Sequence, residues 1–587
     1  MFIGDCILAL IAYPALLILP GLFWTFMFKG RTAGALARLV ISAGISISAV
    51  TTCVFVSYRF LGWNMNLPTV LAVLIAVTLF PLLIALVAGF VPMKHGVSTP
   101  RKMLGDAKDF ILGFFKLGNY KPRHRVILAL ILLLGIVLTL APHFGYGLPI
   151  HTDEWHYMAC SDNLINQESQ NPTSLYYDNS QSRPQYWEMG FILFLSAMKV
   201  GSGISWPFLF TTLPCILFSM ALLTAYLIGK KHNWGLQAAF LLALTPSTLR
   251  FLGPAFLVPA SIGILMVVLS LYLIACIKIK WKYPLIMLAL LFTFICHPPS
   301  GGYLFIVMTA SALVLFARKE RKEAMYLGGI LLLFLATAFT VPLNFMEGMS
   351  WSTLTRGSIF FLPHLTASEY LDLTSFIVPV LAVIGAIFIM KKRQRAGQTV
   401  TLALFSMIAF VLVIYCVYPN FFSVQAVFDR AIMVILILVG IVAGAGLAVF
   451  QRNVSKPFSV ILICCILALS LNSHSGESYY HIISQDEYDD FQWIRENLNS
   501  TYERAILDPW KAVAFTPVTG KMVFYAIPQG PGDDMGTKIN QINAFFAGGC
   551  TDTAFLVSNE IDIVYTHGIC NNPDLVGVRN GVYIFEG

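Results

Sequence analysis

The sequence predicts a polytopic α-helical membrane protein of about fourteen transmembrane helices, ending in an extracytoplasmic α/β domain. Three observations carry this. Of the 587 residues, 57% are hydrophobic and 12% charged, about half the charged share of a soluble globular protein. The apolar residues gather in runs close to the ~20 that a bilayer-spanning helix needs. From about Asn472 onward the chain turns polar and mixed.

The first run, "MFIGDCILALIAYPALLILPGLFW", lacks a basic n-region and a small-residue cleavage site, so it reads as a retained helix and not a cleaved signal. Its far flank, "KGRTAGALAR", is basic, which puts the N-terminus outside. With this run at 6–28, apolar segments follow at 37–58, 67–92, 126–143, 206–229, 234–248, 257–277, 283–297, 302–317, 324–342, 371–390, 399–418, 431–450 and 457–472. Residues 1–125 then form an N-terminal three-helix extension with a basic cytoplasmic loop. Residues 126–472 form a transmembrane module with an outer loop at 144–187, and residues 473–587 form the polar domain.

The basic residues test this count. Alternating from an outside N-terminus, the inner connectors are 29–38, 93–125, 230–233, 278–282, 318–323, 391–398 and 451–456. They hold 26 of the 38 Lys and Arg, as the positive-inside rule requires. The charge surplus is therefore a topology signal and not a nucleic-acid footprint. Counting "WEMGFILFLSAMKVG" (187–201) as a span would reverse every later loop. It is read as a re-entrant or juxtamembrane helix at the outer surface.

In the tail, 484–497 has the pattern of an amphipathic helix. "RAILD", "KMVFYA", "IDIVYT" and "GVYIFEG" read as strands, with helices at 535–547 and 551–559. Strand–helix alternation indicates a small α/β domain. Cys550 and Cys570 are either a disulfide in an oxidising compartment or two free thiols. The other cysteines are mostly scattered singly inside apolar runs, where they read as small buried hydrophobes. Asn499 opens a glycosylation sequon.

Topology sorts the unusual polar residues to the outer face. "GLPIHTDEWHYMACSDN" (147–163) places His151, Asp153, Glu154 and His156 just past a helix, and Arg183 follows in the same loop. Arg250 stands in "TLRFLGPAFLVPAS", His297 in "CHPPSGGY", and Asp429 with Arg430 at the mouth of a helix. Ionisable groups at membrane depth are costly and usually serve a function or pair with one another. A carboxylate can take a hydroxyl proton or hold a divalent cation, and the arginine fork matches phosphate oxygens. Each residue also has a plain reading. Asp153 and Glu154 serve equally as solvated loop charges, Arg250 as a partner for carbonyls at a broken helix, His297 as a helix cap, and Asp429–Arg430 as a local ion pair.

The order of these parts resembles the GT-C superfamily of integral membrane glycosyltransferases. The resemblance rests on the basic flank, the acidic pair past the next helix, then "RPQYWEMGFILFLSAMKVGSGISWPFLF", "LIGKK", "GLQAAFLLALTPS" and "TFICHPPSGGYLF". It covers roughly 120–480 and, more loosely, the tail. It implies a catalytic base or metal ligand in the first outer loop, where Asp153 and Glu154 stand, Asp153 first. It also implies Mg or Mn as a possible cofactor. The turn around Arg250 resembles the region where oligosaccharyltransferases carry a further acidic ligand, but here it holds no acid. No WWD-type acceptor motif occurs in the tail; "FQWIREN" does not match it. Both departures weigh against peptide N-glycosylation, and the first also against metal dependence.

The expected activity is inverting transfer of a monosaccharide from a polyprenyl-phosphate donor to a glycan, lipid or protein acceptor. It would take place at the outer face of the plasma membrane. Asp153 or Glu154 acts as base, and Arg250 or Arg430 stabilises the departing phosphate. The membrane lipid is a partner and nucleic acid is not. The rival class is a transporter or flippase of lipid-linked glycans, which would place ionisable residues near the midplane and often show internal repeats.

Overall fold

The computed structural model describes residues 2–27, 34–90, 105, 122–166, 188–246, 253–340, 375–417, 425–475, 481–527 and 535–586. The chain divides into two compact units. One comprises Met1–Phe144 and Tyr186–Ser478; the other comprises Gly145–Gln185 and Tyr479–Gly587. The polar tail and the start of the outer loop fall in the same unit.

The first unit is helical. Among the described residues nine helices are long and apolar enough to cross a membrane, and four shorter apolar helices accompany them. The chain is a multi-pass membrane protein. One segment is shorter than the sequence predicts. The segment 234–248 forms only the nine-residue helix Gly235–Ala243, about 14 Å long at 1.5 Å per residue, too short for the ~30 Å hydrocarbon core. Its end lies just before Pro246, which cannot continue a helical ladder.

The segment 187–201 forms the Met189–Ser202 helix, whose residues Met189–Met198 are all buried. It packs inside the unit against Ala35–Leu61, Lys282–Cys296 and Phe2–Leu17, so protein covers its backbone as a re-entrant or juxtamembrane helix requires. Close packing requires Gly190, where a Cβ would meet the Ile295 backbone at 2.8 Å. The helix ends at Gly203, whose φ of 68° is left-handed.

The basic connectors interlock at one end of this unit. Lys282 Nζ donates to Glu323 Oε2 (2.6 Å), and Arg395 Nη2 donates to the same oxygen (2.7 Å). Arg318 Nη1 reaches Arg393 O (2.9 Å) and Gln398 Oε1 (2.7 Å). Trp234 Nε1 donates to Gln394 Oε1 (3.0 Å), and Arg452 Nη2 to His232 O and Asn233 O (3.3 Å each). Five connectors that the positive-inside rule assigned to one side are thus joined directly.

The second unit holds a five-stranded sheet in the order β2-β1-β3-β5-β4. β1 (Arg504–Ile506) pairs in parallel with β2 (Met522–Val523) and β3 (Ile563–Tyr565), and β3 pairs antiparallel with β5 (Val582–Phe585). β4 (Leu575–Arg579) is an edge strand that the sequence did not suggest. Nor did it suggest the Ala512–Thr519 helix, all eight of whose residues are buried. That helix packs against Thr152–Asn166, the helix carrying the acidic pair. A disulfide joins Cys550 and Cys570. Between the sheet and the Gln485–Asn497 helix, Arg579 Nε donates to Asp490 Oδ1 (2.6 Å), and Lys511 pairs with Glu487.

Candidate functional site

In the second unit, His151, Asp153 and Glu154 build one helix start. His151 precedes the Thr152–Asn166 helix, and its Nδ1 accepts from Asp153 N (3.0 Å). Glu154, fully buried, reaches back, and its Oε2 accepts from Ile150 N (2.7 Å) and His151 N (3.1 Å). This is the reciprocal logic of a capping box, with histidine where serine or threonine usually stands. Two otherwise orphaned amides gain an acceptor, and a carboxylate near a helix N-terminus is favoured by the dipole. Burial holds the His151 imidazole below its ordinary range, with Asp153 opposing that shift.

The Asp153 side chain is 28% exposed, its Oδ1 3.9 Å from His151 Nδ1. Consecutive helical positions point about 100° apart, and one carboxylate is buried in a cap while the other is partly exposed. Among the described residues no group of three or more His, Cys, Asp or Glu is placed to hold a metal ion. His156, further along the helix, sits 3.5 Å from Cys160 Sγ.

In the first unit, the chain brings together three residues from distant positions. His297 ends the Lys282–Cys296 helix, its N–H donating to Thr293 O (2.8 Å), and also precedes the Pro298–Ala317 helix. Its Nδ1 lies 2.6 Å from Ser300 Oγ and 3.3 Å from Ser300 N. Its Nε2 lies 3.1 Å from Arg430 Nη1 and 3.8 Å from Glu188 Oε1. His297 is 1% exposed. The plain reading of His297 as a helix C-cap thus holds through its backbone N–H, and the ring also meets a guanidinium.

Asp429 precedes Arg430 on the Gln425–Asn453 helix. Arg183 and Arg250 lie outside the described residues. Glu188 and Ser300 were missed as site residues. Glu188 marks the polar boundary of an apolar run, and Ser300 lies in the "CHPPSGGY" turn with no signal of its own.

No family model matches the chain, and no curated protein matches it. Solved structures do. It resembles the archaeal oligosaccharyltransferase AglB from Archaeoglobus fulgidus, solved with an inhibitory peptide and a dolichol-phosphate. The TM-score is 0.51 at 13% identity, over 76% of this chain and 69% of that one. The apo crystal structure of the Archaeoglobus fulgidus oligosaccharyltransferase matches with a TM-score of 0.52, again at 13% identity, over 78% and 70% of the two chains. The chain shares the fold of these structures. At this identity the likeness speaks for architecture, and residue roles must come from the chemistry above.

Proposed function

We propose that the chain is a membrane glycosyltransferase that moves a sugar from a polyprenyl-phosphate donor to an acceptor at the outer face of the plasma membrane. The observation that carries the reading is Arg430 held against the buried His297 in a chain of this fold. A planar, permanently charged fork suits a phosphate leaving group, and the AglB structure was solved with a dolichol-phosphate.

In the proposed reaction Asp153 takes the proton of the acceptor hydroxyl. The acceptor oxygen forms a bond to the anomeric carbon as that carbon's bond to the phosphate oxygen breaks, and the polyprenyl phosphate leaves with the electron pair. One displacement inverts the anomeric centre. Arg430 stabilises the charge on the departing phosphate, with Arg250 a second candidate for that role. Glu154, committed to its cap, is assigned to structure and Asp153 to chemistry. The missing acid near Arg250 and the missing WWD motif favour a single sugar as the transferred group, with a glycan, lipid or protein as acceptor.

The test is purified protein incubated with a panel of polyprenyl-phosphate sugars and scored for turnover. Asp153→Asn should lower turnover about 10²–10⁴-fold, the usual cost of a lost general base, with unchanged thermal stability. Full activity in Asp153→Asn would remove the assignment.

A further inference from the structure

The contact between Arg430 and His297 constrains more than it first shows. A guanidinium has donors and no acceptor. With Arg430 Nη1 3.1 Å from His297 Nε2, that ring nitrogen must accept. The neutral ring then carries its proton on Nδ1, which donates to Ser300 Oγ at 2.6 Å. The 3.3 Å approach of Ser300 N to the same nitrogen becomes a packing contact.

Three further features hold this arrangement. Ser300 is itself buried. Gly263 on the Pro259–Cys276 helix leaves room for its hydroxyl, since a Cβ there would stand 2.2 Å from Ser300 Oγ. Glu188 Oε1, 3.8 Å from His297 Nε2, adds negative potential where the guanidinium sits. Four separate segments thus converge to set one proton and one planar cation.

We propose that His297 is a positioning residue for donor binding. Held in its Nδ1–H tautomer by Ser300, it accepts one N–H of Arg430 through Nε2 and so fixes the plane in which the guanidinium meets the phosphate of a lipid-linked donor. The inference rests on the reading that Arg430 takes that phosphate. Its physical basis is preorganisation. An arginine side chain loses considerable rotamer freedom on engaging a ligand, and a partner that orders it beforehand removes much of that cost from binding.

The experiment measures binding of a long-chain polyprenyl phosphate to the full-length protein in nanodiscs, with donor and acceptor KM from the turnover assay. His297→Leu removes the acceptor and should weaken polyprenyl phosphate about 10-fold and raise donor KM, with acceptor KM unchanged. His297→Gln keeps an oxygen acceptor and should stay within about 3-fold of the parent. Ser300→Ala releases the tautomer and should weaken binding about 3-fold. A merely structural histidine would lower yield or melting temperature, yet leave the affinity of the folded fraction intact for all three variants.

Parent-like affinity in His297→Leu, with Arg430→Ala strongly impaired, would overturn the positioning role and leave the phosphate reading standing. Parent-like affinity in Arg430→Ala would overturn both. Should His297→Leu fail to fold, Ser300→Ala decides, and an affinity equal to the parent counts against the proposal.

Discussion

At the residue scale, the acidic pair divides its labour. Glu154 accepts from two backbone amides while buried, so Glu154→Ala should cost about 2 kcal/mol through unsatisfied donors. Thermal unfolding in detergent would show this as a lowered midpoint, and Glu154→Gln, which retains an acceptor, should lose less. Asp153→Asn should leave the midpoint in place and act on turnover. His151 adds a pH dependence. Its folded-state pKa is lowered by burial, so the folded protein resists a proton that the unfolded chain accepts. Stability should therefore fall as pH drops below about 6.5 and level off once the folded-state pKa is passed. His151→Asn, a competent cap with no titration, should flatten that slope in unfolding measurements across this window. In the sequence, the acidic pair announced itself by its place after an apolar run. That one member would fold back onto its own amides depends on how the chain enters the helix, which no residue count reveals.

At the element scale, long apolar runs were legible because twenty apolar residues in a bilayer have few alternatives to a helix. Shorter elements were less so. The run at 234–248 ended early at a turn, and 187–201 is a short apolar run bounded by the charged Glu188 and Lys199. Yet Lys199 folds back, its Nζ donating to Ile204 O (2.9 Å) and lying over the Trp206 ring, which lets the helix body stay buried. "AVAFTPVT" is buried on every face, so it shows no polar stripe from which a helical period could be read. β4 contains Gly577 and a bulge by Arg579, which blurs strict alternation. The Cys550–Cys570 bridge closes a loop of sequence separation 20, worth about 3 kcal/mol on the chain-entropy account. Cys550→Ser with Cys570→Ser should lower the unfolding midpoint accordingly, and thiol labelling of the denatured parent should count two fewer reactive cysteines than full reduction exposes.

At the scale of the whole molecule, charge counting placed the basic connectors on one side but could not say that they would grip one another. Lys282, Arg395 and Glu323 form the centre of that grip. Glu323→Gln leaves Lys282 facing a neutral amide while Arg395 keeps Glu320 at 2.6 Å, and should cost about 2 kcal/mol. That is below the ~3–5 kcal/mol of a fully buried pair because the Glu323 side chain is 28% exposed. The rate of thermal inactivation in detergent would report it. The division into two units has a consequence for how the protein is made. The pieces Gly145–Gln185 and Tyr479–Gly587 complete one another, and Tyr146 donates to Ile483 O (2.9 Å) while stacking on His481. During synthesis the earlier piece must wait, its tryptophan and methionine side chains uncovered, until the ribosome has finished every helix between them. A stop codon anywhere before the tail would strand that segment for good, so quality-control proteases should destroy such truncated chains even when all their membrane spans are intact.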